Sequence, residues 1–175
     1  MSKNILLLIS FLTIVSLSCK KEATIPTSGE ITLSSQQVVD GPAYATFGLS
    51  FPAGAVHKYP EQQVDVLVLA LKPLDDITAV FFTAPDYYTG TFNNTSYNQD
   101  LAAAETQFNN YSEVTATDFQ PLSDTLKIGQ IITYKSAANK YAKILIQSIN
   151  IVKINPPYAE VKISWVYQPN GTSKF

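Results

Sequence analysis

Between Tyr158 and Gln168 the side chains alternate strictly. Ala159, Val161, Ile163, Trp165 and Tyr167 share one side, while Glu160, Lys162 and Ser164 share the other. A period of two belongs to an extended chain with one buried face, not to a helix. Gln130 to Tyr134 and Tyr141 to Ile154 are also β-rich, and Asn155-Pro156-Pro157 separates the last two runs with a sequence that neither helix nor central strand tolerates. Upstream, Tyr44 to Phe51 alternates in the same way and stops at Pro52-Ala53-Gly54. Val64 to Leu71 (VDVLVLAL) is nearly all apolar, and its length suits a central strand covered on both faces or a short helix bracketed by Pro60 and Pro73. Ile77 to Thr83 reads as a further strand. The expectation is an all-β domain, mostly antiparallel sheet.

One segment departs from this pattern. Ala84 to Thr125 is rich in Asn, Thr, Asp and Tyr, and only Asp100 to Phe108 (DLAAAETQF) looks helical, with Asp100 placed to cap its start. A loop-rich insert of this length inside a compact domain tends to be functional.

The N-terminus carries a different signal. Lys3 precedes a mostly apolar stretch from Ile5 to Leu17, and Ser18 stands before Cys19, the single cysteine. This is the pattern of a secretory signal peptide and is too short to span a membrane. A cysteine directly after the small residue resembles a bacterial lipoprotein signal, which gives an expectation of residues 1–18 removed, Cys19 acylated, 19–29 a polar tether and 30–175 one domain. Two or more acyl chains would anchor such a protein stably to a membrane.

Composition then removes several classes of function. All twelve basic residues are lysine, and losing Lys3 leaves eleven against fourteen acids, a formal charge of −3. No arginine fork or basic patch is available, so no nucleic-acid partner is expected. With Cys19 acylated no internal disulfide can form. There is no Gly-rich phosphate loop, no G-x-S-x-G elbow and no H-E-x-x-H, and no enzyme is expected. His57 is the only histidine and cannot anchor zinc alone, so no metal site is expected. It follows a Pro-Ala-Gly turn and reads as a solvated turn residue. Asp75 and Asp76 read as turn or helix caps before they read as a paired acid or a calcium site. Four N-x-S/T sequons, at Asn93, Asn94, Asn110 and Asn170, read as polar loops in a bacterial lipoprotein. The remaining chemical lead is tyrosine. Tyr87, Tyr88, Tyr97 and Tyr111 fall inside the insert, where their rings either stack on a ligand or pack the insert onto the sheet.

Several segments together resemble the HmuY family of haem-binding outer-membrane lipoproteins. They are Ala43 to Phe51 (AYATFGLSF), the strand carrying Asp65, Lys140 to Ile149 (KYAKILIQSI) and the ending Ile163 to Phe175 (ISWVYQPNGTSKF). Tyr141, Ala142 and Lys143 fall on the family's Tyr-x-Lys strand, and Tyr167 to Gly171 fall on its closing turn. Asp65 matches the family's Trp-Asp pair, with Val64 in place of the Trp. The resemblance implies an all-β domain that grips haem between loops, at the cell surface or the periplasmic face of the outer membrane, with an outer-membrane protein as a further partner. It also implies paired histidine or methionine ligands from the segment before the Tyr-x-Lys strand, and here that segment holds neither residue type. Iron also accepts tyrosine, which leaves Tyr87, Tyr88, Tyr97 or Tyr111, with His57 as a distant second, to meet a haem or porphyrin. The alternative is an adaptor or accessory lipoprotein that has lost haem ligation and contacts a protein or polymer.

Overall fold

The computed structural model describes residues 27–40, 43–72, 76–85 and 91–175. The described chain runs β1 (Ser28–Ser34), β2 (Val38–Asp40), β3 (Ala43–Ser50), β4 (Ala55–Tyr59), β5 (Val66–Leu71), β6 (Ala79–Thr83), β7 (Phe92–Tyr97), α1 (Leu101–Asn110), β8 (Gln130–Lys135), β9 (Tyr141–Val152) and β10 (Tyr158–Gln168). Sheet one has the order β1-β10-β9-β8-β7. Sheet two has the order β2-β3-β5-β6, with β4 added on β3. All the pairings are antiparallel. The expected all-β class with one short helix is what the chain adopts.

The alternation in the last strand does what its period requires. Ala159, Val161, Ile163, Trp165 and Tyr167 all face inward and are buried. They meet Leu49, Phe51, Val66, Val68, Val80 and Phe82 of sheet two across a single core. At one end of that core Phe51 stacks on Tyr167, with centroids 5.6 Å apart and planes 9° from parallel, and also touches Tyr134 at 5.0 Å. Burying a large apolar side chain this completely contributes about 1.5–3 kcal/mol relative to leaving it in water. Gly48 is where β5 crosses closest to β3: a Cβ there would lie 2.7 Å from the Val66 carbonyl oxygen.

Sequence reading missed several pieces. The insert holds a full sheet strand, β7, hidden because Asn93, Asn94, Thr95 and Ser96 make it polar and only Phe92 is buried in the core. Ser28 and Gly29, read as tether, already pair with Val166 and Trp165 in β1. His57 lies in β4 opposite Gly48 and is half-buried, not in a solvated turn. β5 is central in order and covered on both faces over Val66, Leu67 and Val68, all buried, whereas Leu69 and Leu71 further along are 41% and 55% exposed. The covering helix lies on sheet one instead.

The chain from Gln120 to Leu126 closes one side of the sandwich. Gln120 exchanges backbone hydrogen bonds with Phe92 of sheet one, at 2.7 and 2.9 Å. A few residues on, the Ser123 and Leu126 amides donate to Phe82 and Val80 of sheet two, at 3.1 and 2.8 Å. An edge that would otherwise invite pairing with another chain is thereby covered on both sheets.

Candidate functional site

The outer face of sheet one is organised around a buried lysine. Asp100 caps α1 as its sequence suggested, its carboxylate accepting the Ala102 amide at 3.0 Å. The helix lays Ala104 and Phe108 on Ile131 and Leu145. At its far end Lys143, 5% exposed, donates to the carbonyls of Phe108 at 2.7 Å and Tyr111 at 2.8 Å. These are among the carbonyls a helix leaves unpaired at its C-terminus, where the negative end of the dipole also favours a cation. The Phe108 and Phe175 rings flank the ammonium at 4.8 and 5.3 Å. Phe175 is brought there by the C-terminal tail, which pairs with the segment after the helix through Phe175 N–H to Ser112 and Val114 N–H to Ser173. Burial pushes the Lys143 pKa below its ordinary value. Lys143 is therefore the peg that fixes helix, tail and sheet to one another.

Beside that peg a groove of about 420 Å³ runs between α1 and β7, lined by Thr95, Ser96, Tyr97, Gln107, Asn110, Tyr111 and Ile131. It brings together two of the four tyrosines singled out by sequence, and treats them differently. The Tyr111 hydroxyl lies 2.9 Å from Thr133 Oγ1, which also meets Thr95 Oγ1 at 2.6 Å. Thr95 reaches this point because β7 bulges between Asn94 and Ser96. Tyr111 is half-buried and also packs on Phe175, at 5.8 Å, so most of its ring serves the fold. Tyr97 is 52% exposed and stands as a wall: the 420 Å³ groove lies on one side and a smaller cleft of about 230 Å³, lined by Asn94, Asp124, Lys127 and Gln130, on the other. Lys127 Nζ sits over the Tyr97 ring at 5.3 Å. Gly129 sets the distance between strand and loop here, with φ of +82° and a missing Cβ that would collide with the Asn98 carbonyl.

A second concavity opens at the end of the sandwich where the two sheets part. It measures about 350 Å³, and its lining includes Pro52, Val64, Asp65, Tyr134, Lys140 and Tyr167. Asp65 Oδ2 accepts the Phe51 amide at 2.8 Å, and Oδ1 accepts the Tyr134 hydroxyl at 2.9 Å. The carboxylate, one residue before β5, thus joins the residue after β3 to Tyr134 of β8, across both sheets. Desolvation raises the Asp65 pKa, against the pull of these two donors and of Lys140. Tyr134 is pushed far up, first by burial and then by the Asp65 charge. Tyr167 is raised by the same two causes. Both phenols are therefore held neutral. Thr27, the first described residue, lies at this end, its carbonyl accepting the Tyr167 amide.

The other candidates fall elsewhere. Cys19, Asp75, Tyr87 and Tyr88 lie outside the described residues, although Pro85 and Thr91, which bracket the two tyrosines, line the Asp65 concavity. His57 belongs to sheet two and lines neither tyrosine groove. Asp76 lines a hollow of about 370 Å³ with Lys153, Ile154, Asn155 and Pro157. Among the described residues no three His, Cys, Asp or Glu side chains converge to hold a metal ion, and no helix is long and apolar enough to cross a membrane. Sequence reading did not find the roles of Lys143, Thr133 or Tyr134. The one available signal was an ionisable residue inside an apolar run, as in Tyr141-Ala142-Lys143-Ile144 and Val64-Asp65-Val66. In comparisons with known proteins, no family model matches the chain and no curated protein matches it significantly.

Proposed function

We propose that this is a lipid-anchored binding protein of HmuY type that captures a haem or related porphyrin on the groove between α1 and β7, with Tyr97 as the principal contact. The observation that carries this reading is that Tyr97 and Tyr111, far apart in the insert, line one open groove, and that Tyr97 presents its exposed ring there. Such a residue presents its phenol oxygen to a ligand in the groove. Lys127 sits over the same ring but lines the neighbouring cleft, not this groove. Of the residue types that bind haem iron, tyrosine is the one this groove supplies, and the Tyr111 hydroxyl is already bonded to Thr133. The groove therefore fits a ligand whose iron takes the Tyr97 phenol as its one axial oxygen, with the ring tilted to the porphyrin plane. Among the described residues the groove offers no second iron ligand. The resemblance in the strands around Asp65 and Lys143 supports the family reading, and the Cys19 signal supports an outer-membrane location.

Titrating the purified protein with ferric haem, and repeating after reduction, tests the proposal. A saturable, shifted Soret band is expected in the ferric form, weakening on reduction because a phenol is a poor ligand for ferrous iron. A spectrum identical to free haem sinks it. The second reading is an adaptor lipoprotein, favoured by the exposed Leu69 and Leu71 on the outer face of sheet two. Under that reading cross-linking retains a protein partner and haem leaves the spectrum unchanged.

A further inference from the structure

The concavity at Asp65 is separate from the tyrosine groove and shares no lining residue with it. Its construction is unusual for a part that only holds two sheets together. The carboxylate has one protein donor on each oxygen, the Phe51 amide and the Tyr134 hydroxyl. A carboxylate offers about four acceptor positions, so each oxygen keeps capacity toward the open volume. Among the described residues no lysine or histidine lies within ion-pair distance of it. Lys140 lines the same concavity and acts on the carboxylate only through its field. Around the charge, rings and hydrocarbon come from Tyr134, Tyr167, Val64, Pro52 and Ala84. They share the lining with Gln63, Thr91, Ser136 and a second lysine, Lys135, whose ammonium sits over the Phe119 ring at 5.5 Å. Phe51 stacks behind Tyr167 and stiffens that wall. A carboxylate beside two aromatic rings in a small hollow is what recognises an organic cation.

We propose that this end of the sandwich is a second binding site, for the ammonium group of an alkylamine, with Asp65 receiving the charge and Tyr134, Tyr167 and Val64 receiving the hydrocarbon. The volume of about 350 Å³ sits at the small end of ligand pockets, which suits a short aliphatic amine or a single lysine side chain. Lys140 opposes the incoming cation and so limits affinity. Pairing with an ammonium also relieves the desolvated carboxylate, so occupancy stabilises the fold.

The test is a nitrogen-15 NMR titration of the protein with n-butylammonium, with n-butanol as the neutral isostere and Nα-acetyl-lysinamide as the peptide-borne source. The Phe51 amide, which donates to Asp65, is the reporter. Butylammonium at millimolar concentration is expected to move it saturably, and butanol is not. Asp65→Asn, which preserves shape and keeps an acceptor for the Phe51 amide while its Nδ2 donates to the Tyr134 oxygen in place of accepting from it, weakens binding about tenfold or more. Lys140→Gln strengthens it about threefold. A response to both amines assigns free alkylamines as ligands, and a response to the lysine derivative alone assigns a lysine of a partner chain. Equal shifts with butanol and butylammonium, or no shift with either amine, overturn the proposal. Should Asp65→Asn fail to fold, the comparison of butanol with butylammonium on the unaltered protein still decides. None of these readouts depends on haem, so the two proposals fail separately.

Discussion

Lys143 and Asp65 are both charges removed from water, and the molecule finishes one and leaves the other open. Lys143 lies under a helix with two carbonyls and two rings around its ammonium. Asp65 lies at the mouth of the core with two donors and an aromatic hollow in front of it. The difference teaches how to separate a structural charge from a ligand-seeking one. Burial is common to both, whereas a closed coordination shell is not. Removing a closed charge damages the fold, and removing an open one damages binding.

The largest effect that would break this comparison is at the closed charge. Lys143→Met keeps the stem and strips the ammonium from the Phe108 and Tyr111 carbonyls, so the unfolding free energy should fall by about 2–3 kcal/mol. Chemical denaturation measures this, and a loss below that of an ordinary surface substitution would mean the peg is idle. Tyr111→Phe comes next. It deletes one hydrogen bond to Thr133 and should cost about 1 kcal/mol, while leaving haem binding intact.

The open charge predicts a sign. The pKa of Asp65 is raised in the fold, so the native state holds its proton where the unfolded chain has lost it, and stability falls as pH rises through the folded pKa. The stability of the wild type relative to Asp65→Asn should therefore be greatest below the ordinary carboxylate range and decline toward neutrality. Lys143 gives the opposite slope at the other end. Its pKa is lowered, so the wild type should gain stability relative to Lys143→Met as pH rises toward 10.5. Thermal melts of both pairs across pH would expose a reversed sign in either. The smallest stability change belongs to the exposed wall: Tyr97→Ala should shift the unfolding free energy by no more than about 0.5 kcal/mol and yet remove haem binding.

The fold was legible where one face of a strand is buried and the other wet. β10 and β3 announce themselves by alternation, α1 by Asp100 and its spacing, and the all-β class follows. β7 was not legible, because a sheet strand whose outward side chains carry amides and hydroxyls has the composition of a loop. β5 is covered on both faces only from Val66 to Val68, and the exposure of Leu69 and Leu71 was not legible, since an apolar run is silent about which sheet receives the helix. The site was half legible. Tyrosine content pointed to the insert, but only the pairing of β7 with β8 and the lie of α1 place Tyr97 and Tyr111 on one groove. Asp65 and Lys143 form contacts with residues 14 to 69 and 32 to 35 positions away, and such separations leave no local pattern.

The central claim is that the exposed Tyr97 wall is a ligand surface while Tyr111 beside it belongs to the fold. Parallel absorption titrations of the wild type, Tyr97→Ala and Tyr111→Phe with ferric haem address it most directly. The account predicts a saturable Soret shift in the wild type and in Tyr111→Phe, and its loss in Tyr97→Ala. A shift that survives in Tyr97→Ala, or one absent from the wild type, would contradict it.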